Sequence, residues 1–332
     1  MYPLLLTLTL LLGGCASAPQ PSTPKHDTLT PLEEVSHSHD WTQVSLYHSY
    51  ALALKRDGSL WCFGEVPDGK YHGIIPDATR PLPPAPTPFY RRRPIQVGMD
   101  HDWVSVSAGA YAIATKRDGS LWGWGGNLID RQGRHHHTTT PILISPEKGW
   151  RTALSRGNTI GECQPYTIGL KRDGTLWGWG DTMLSGGGNQ PITTLRGWRG
   201  VSLGCYSVIA QHTSGRLWGW GYPHGIRPLP TTPPTPITQQ TLPPTKLAEG
   251  TTLGVSLMTL GSLLFLHTYH PAQIKPDGTL WLYHDETAPN GTLQSHLRQE
   301  RSHDTTWHHL SQADQHLALL KRNGSLWFVG VK

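Results

Sequence analysis

One short unit, two apolar segments joined by a tight turn and followed by Leu-Trp, occurs six times along the chain. Its copies cover residues 51–64, 112–125, 167–180, 208–221, 273–284 and 317–330. In five copies the turn is Asp-Gly or Asn-Gly, which suits a two-residue hairpin loop or a three-residue loop with a glycine bulge. The turn glycines follow one another at intervals of 41 to 63 residues: Gly58, Gly119, Gly174, Gly215, Gly278 and Gly324. A hairpin that recurs at this spacing predicts a β-propeller or a solenoid.

Residues within each copy alternate in size in a way that favours sheets stacked around an axis. Successive side chains on a strand point to opposite faces, so Trp122 and Trp124 share one face while Leu121 and Gly123 share the other. One face is therefore bulky and the other is light, which lets neighbouring sheets pack closely. We expect the tryptophans that follow the turn leucine to be core residues: Trp122, Trp177 and Trp218.

Two further strands precede each hairpin and complete a four-stranded unit. The first often begins with proline, at 31–35, 94–97 and 141–144, and the second reads Trp-x-x-Val-Ser or a variant, at 41–45, 103–107, 150–154, 198–202 and 307–311. This order of motifs resembles the repeats of the regulator of chromosome condensation family, whose members are β-propellers. The resemblance implies an all-β propeller over residues 31–332 with six four-stranded blades. Members commonly have seven blades, so a seventh is allowed in the diverged stretch before Ile274.

The first thirty residues indicate export and membrane anchoring. An apolar run from Leu4 to Leu12 ends in Leu-Gly-Gly-Cys, which resembles a bacterial lipoprotein signal peptide over residues 1–14 with Cys15 as the lipidated residue. Residues 15–30 are rich in Pro, Ser and Thr and are expected to form a flexible tether. The missing basic residue before the apolar run leaves two alternatives, an ordinary secretory leader or a misassigned start codon. The absence of Asp after Cys15 favours an outer-membrane location in the cell envelope.

The other three cysteines fall within the propeller repeats. Cys163 and Cys205 stand just before the third strand of neighbouring units, at comparable heights, and export would permit a disulfide between them. The alternative is that both are unpaired, buried small residues. Cys62 occupies the light-face position that holds Gly123 in the next unit, so we expect it to be a packing residue.

The composition argues against nucleic-acid binding, because only 15% of the residues are charged and the net charge at pH 7 is +5. No serine-hydrolase, zinc-protease or phosphate-loop motif is present, so we predict no cofactor, no metal centre and no catalytic residue. These observations favour a monomeric, non-enzymatic scaffold that binds a protein or a cell-envelope polymer. The alternative is an envelope enzyme of the hydrolase or lyase class with its site in the mouth of the propeller.

Alternating strands sort the connections onto two faces of the ring. The Lys-Arg-Asp-Gly turns share one face with the loops before the Trp-x-x-Val-Ser strands, and the insertions 65–93, 126–140 and 222–246 lie on the other. On the first face, three His-Asp pairs belong to units that become neighbours when the ring closes: His39-Asp40, His101-Asp102 and His303-Asp304. We predict that they form a pH-sensitive or divalent-metal contact patch. The alternative is ordinary turn chemistry.

Overall fold

The computed structural model describes residues 33–35, 37–47, 50–64, 94–157, 164–180, 191–203, 207–214, 217–221, 235–236, 272–275, 277–287, 293–299, 304–313 and 316–330. Within these ranges the regular elements are 22 β-strands, which form six antiparallel sheets. Each sheet is one blade of a β-propeller, as the repeats predict. Among the same residues, none belongs to a helix long and apolar enough to cross a membrane.

The blades follow one another along the chain, with strands numbered in chain order. Blade 1 contains β2 (Trp41–Tyr47), β3 (Tyr50–Lys55), β4 (Leu60–Gly64) and β5 (Ile95–Gln96). Blade 2 contains β6 (Trp103–Ser107), β7 (Ala112–Lys116), β8 (Leu121–Ile129) and β9 (His135–Leu143). Blade 3 contains β10 (Trp150–Arg156), β11 (Tyr166–Lys171) and β12 (Leu176–Gly180), and a single bridge joins Trp177 to Pro191.

The second half of the chain repeats this order. Blade 4 contains β13 (Trp198–Leu203), β14 (Ser207–His212), β15 (Leu217–Gly221) and β16 (Thr235–Pro236). Blade 5 contains β17 (Ala272–Ile274), β18 (Leu280–Thr287) and β19 (Leu293–Gln299), and the segment before residue 272 lies outside the described residues. Blade 6 contains β20 (Trp307–Ala313), β21 (His316–Lys321), β22 (Leu326–Gly330) and β1 (Glu33–Glu34).

Blade 6 is completed by the beginning of the chain. β1 pairs with β22, which places Glu33 opposite Phe328 and Glu34 opposite Trp327. The Trp-x-x-Val-Ser strands β2, β6, β10, β13 and β20 lie next to one another and therefore line the axis, and β2 contacts β20 across the junction between the last blade and the first. Strands from the two ends of the chain thus hold the ring closed.

The faces of each blade pack as the alternation of large and small residues predicts. Trp122 and Trp124 both pack in the cluster between blades 1 and 2, whereas Leu121 packs toward blade 3. Cys62 is buried in the first of these clusters, and burial raises the pKa of its thiol to about 12. The expectation that the tryptophans after the turn are core holds only in part. Trp122, Trp177 and Trp218 pack against the core but are half-buried, because one edge of each indole faces the hairpin turn.

Candidate binding face

The hairpin turns of one blade are bonded to the loop that leads into the next. We call the side of the ring formed by these turns and loops the turn face. The carbonyl of Gly58 accepts a hydrogen bond from the Trp103 amide at 3.2 Å, and the carbonyl of Gly119 accepts one from the Trp150 amide at 3.1 Å. The same bond recurs between Gly174 and Trp198 and, across the closing junction, between Gly324 and Trp41. The turn face is therefore a continuous, hydrogen-bonded surface over these blades.

Each turn is also closed by its own side chains. In blade 1 the Lys55 carbonyl accepts from the Gly58 amide at 3.0 Å, so the loop is the three-residue type with a glycine bulge. The carboxylate of Asp57 accepts from the amide and hydroxyl of Ser59, and the Trp61 indole donates to that hydroxyl at 2.7 Å. The same three-residue network forms around Asp118, Asp173, Asp277 and Asn323. The hydrogen bonds from Ser59 lower the pKa of Asp57.

The lysine before each turn is enclosed by aromatic rings rather than solvated. The Lys116 ammonium lies 4.7 Å from the ring centre of Trp103 and 4.8 Å from that of Trp122. Equivalent pairs of rings flank Lys55, Lys171 and Lys321. A carboxylate from the preceding loop completes each unit: Asp40 on Lys55, Asp100 and Asp102 on Lys116, Glu147 on Lys171 and Asp304 on Lys321. Sequence reasoning missed this unit, which ties the inner strand, the turn and the loop of each blade together.

The structure brings the predicted His-Asp residues to the turn face, where the aspartates bind lysines of their own blades. Asp40 lies 3.3 Å from Lys55, and Asp102 lies 3.2 Å from Lys116. The ring nitrogens of the two described histidines also face acids, since His39 is 3.1 Å from Glu34 and His101 is 3.3 Å from Asp57. His303 is outside the described residues. Within the described ranges no three His, Cys, Asp or Glu side chains are grouped closely enough to hold a metal ion, and the contact patch stays a prediction.

The arginines of the turn face behave differently from the lysines. Those that follow the buried lysines are exposed: Arg56, Arg117, Arg172 and Arg322. Two more, Arg151 and Arg199, are exposed as the second residues of inner strands β10 and β13. In the part of the chain that the structure describes, none of these six guanidinium groups has a carboxylate within ion-pair distance, although Arg172 donates to the Arg117 carbonyl at 2.8 Å. This face therefore presents uncompensated positive charge.

The insertion at 126–140 is ordered, which corrects the expectation of a solvated loop on the opposite face. It forms the ends of β8 and β9, and the buried carboxylate of Asp130 accepts from the Arg134 side chain and the His136 ring, both at 2.8 Å. Arg131 lies buried 4.7 Å from the ring centre of Trp177 in blade 3, and burial lowers the pKa of its guanidinium. Buried hydrogen bonds thus fold this segment back over the junction between blades 2 and 3.

Several predicted features fall outside the described residues. They are the signal peptide and tether over 1–30, the lipidation site Cys15, and the cysteine pair Cys163 and Cys205. The propeller-mouth enzyme is likewise neither supported nor opposed by the geometry above. These assignments stay predictions.

Comparison with known proteins supports the propeller and its repeat. No family model matches the chain. The structure of yeast RCC1 (Prp20) bound to Kap60 superposes with a TM-score of 0.53 at 13% identity, covering 87% of this chain and 70% of that one. A second structure, of Prp20p from Saccharomyces cerevisiae, gives the same TM-score and identity over 87% and 72%. The human E3 ubiquitin-protein ligase HERC2 is 29% identical over 229 residues, 63% of this chain, and this chain spans about 4% of that protein. RCC1-like repeats are therefore present here.

Proposed function

We propose that this protein is a non-enzymatic scaffold, held in the cell envelope by a lipid on Cys15, that binds an acidic protein through its turn face. The observation that carries the proposal is the set of six exposed arginines without carboxylate partners in the described structure. Arginine is enriched at protein interfaces because its planar guanidinium pairs with carboxylates in a fixed geometry. Uncompensated charge of one sign also steers an oppositely charged partner into contact.

The rigidity of the turn face supports binding of a preformed partner surface. The turn-to-loop hydrogen bonds and the aromatic-enclosed lysines hold the neighbouring arginines in place, so little side-chain freedom of the scaffold itself remains to be lost on binding. Yeast RCC1 (Prp20), which has the same fold, is bound to Kap60 in one of the compared structures. The low charged fraction of this chain favours a protein over a nucleic acid as partner.

The partner-binding part of the proposal is tested by charge reversal in the native host. The full chain, expressed with Arg56, Arg117 and Arg151 all changed to Glu, is compared by crosslinking and affinity capture with the wild type. A matched control changes the same three residues to Lys, which keeps the charge. We expect the Glu variant to lose the captured protein and the Lys variant to keep most of it. Equal capture by all three proteins, or capture of a cell-envelope polymer instead of a protein, would refute this part.

The anchor is tested separately with Cys15→Ser. Wild-type protein should incorporate a fatty-acid label and fractionate with the outer membrane, whereas the variant should accumulate as an unlabelled precursor. If the variant matures normally and the wild type is recovered in the soluble fraction, the anchor is wrong and the turn-face proposal is unaffected.

A further inference from the structure

Exposed large apolar side chains of the described structure are concentrated at one blade. Met99 is 85% exposed, Leu143 is 54% exposed and Val104 is 43% exposed. Met99 lies in the loop that leads into blade 2, Val104 is on its inner strand β6, and Leu143 is at the end of its outer strand β9. Single exposed apolar residues are ordinary, but three around one blade edge form a local patch.

The three residues border one structural unit, the pair Trp103 and Trp122 with Lys116 between them. Asp100, next to Met99 in the chain, binds Lys116 at 2.8 Å. Val104 directly follows Trp103, and Leu143 pairs with Trp122 across strands β8 and β9. Cross-strand partners project from the same face of a sheet, so Leu143 lies beside the half-buried indole. We name Met99, Val104 and Leu143 the blade 2 patch.

The blade 2 patch lies within an arc of exposed arginines. The turn arginines belong to consecutive blades 6, 1, 2 and 3, in the order Arg322, Arg56, Arg117 and Arg172. The series stops at blade 4, where His212-Thr213 occupies the Lys-Arg position, and the turn of blade 5 also lacks an arginine. Gly58, two residues after Arg56, contacts the backbone of His101 in the same loop as Met99. The charge and the apolar groups are therefore combined in one sector of the ring.

We propose that the blade 2 patch anchors the partner, a protein whose surface has an apolar pocket bordered by carboxylates. This inference rests on the proposed function and adds the location and the chemistry of the contact. Protein interfaces combine an apolar centre, in which methionine is enriched, with a polar rim. Met99, the most exposed of the three, fills the pocket, and Arg56, Arg117 and Arg151 pair with the surrounding acids.

The arrangement of polar groups favours a protein over an anionic lipid surface as the occupant. The carboxylates of Asp100 and Asp102 lie on Lys116, between the inner-strand Val104 and the outer-strand Leu143. Inserting the patch into acyl chains would bury these polar groups without hydrogen-bond partners, which is unfavourable. A protein surface can supply such partners at fixed positions.

The location is tested by placing a photoreactive amino acid at position 99 of the full chain in the native host. The matched control places it at Thr194, which is exposed in the corresponding loop of blade 4, outside the arginine arc. We expect one protein adduct from position 99 and none from position 194. No adduct at 99, the same adduct at both positions, or a lipid adduct overturns the inference.

The chemistry is tested with the protein captured at position 99, purified and titrated against detergent-solubilised wild type and variants. Met99→Ala should weaken binding about tenfold, as expected for an anchor side chain, whereas Met99→Leu should stay within about twofold. Vesicles of phosphatidylglycerol and phosphatidylethanolamine serve as the lipid arm and should not bind. If Met99→Ala binds like wild type while the Arg→Glu variant fails, the anchor is wrong and the proposed function stands. If neither change matters, both are wrong.

Discussion

Replacing Gly324 by alanine tests the closing junction of the ring. Gly324 has a φ of +85°, and its carbonyl accepts the Trp41 amide of blade 1 at 3.2 Å. A Cβ atom added at this position would lie 2.3 Å from the carbonyl oxygen of His39 and 2.8 Å from its carbonyl carbon. Both neighbours are backbone atoms and cannot rotate away, so the turn of blade 6 must move away from blade 1.

The expected cost has two parts. A residue with a side chain in the left-handed region costs about 1–2 kcal/mol relative to glycine. Forcing the backbones apart at a packed contact and weakening the bond to Trp41 adds roughly 1–2 kcal/mol. The sum is about 3 kcal/mol, which corresponds to a fall in melting temperature of about 6–12 °C for a domain of this size.

The assay is thermal unfolding of the purified full chain, followed by circular dichroism. Gly133→Ala is the matched control, because Gly133 also has a positive φ of +78° but has no atom within 4 Å of an added Cβ. It should lose only the conformational part, about 1 kcal/mol or about 2–4 °C. If both variants fall equally, the contact between blades 6 and 1 does not contribute to stability and the reasoning is wrong.

Three further outcomes are expected. Burial raises the pKa of Asp304, but hydrogen bonds from Lys321 and from Thr306 outweigh it, so the pKa is lowered on folding and the stabilisation is lost as the pH falls below about 4. Asp304→Asn should therefore reduce the unfolding free energy by about 1 kcal/mol at pH 7 and flatten its decrease in acid, as measured by urea titration at several pH values. Cys62, whose thiol is buried with a pKa of about 12, should react with iodoacetamide only after unfolding, as followed by mass spectrometry. Non-reducing peptide mapping of exported protein should recover Cys163 linked to Cys205, and free thiols at both positions would exclude the bond.

The hairpins and their packing could be predicted from the sequence because they depend on local rules. The Asp-Gly turns need particular dihedral angles, and the strict alternation of strand side chains is enough to place Trp124 and Leu121 on opposite interfaces. The insertion at 126–140 could not be predicted in the same way. Its order depends on the burial of Asp130 and on the contact of Arg131 with Trp177 of the next blade, which is 46 residues further along the sequence.

The different roles of neighbouring lysine and arginine show what limited the prediction of the site. The Lys-Arg pairs read as one basic ring, yet adjacent strand residues must point to opposite sides, so Lys116 and Arg117 could not both face solvent in the same way. The lysine has a carboxylate and two indoles within reach only because the inner strand and the preceding loop fold onto it. Once the lysines are neutralised inside the blades, the charge that a partner meets is that of the arginines alone. The binding face is therefore defined by the residues that the repeat leaves without an internal partner.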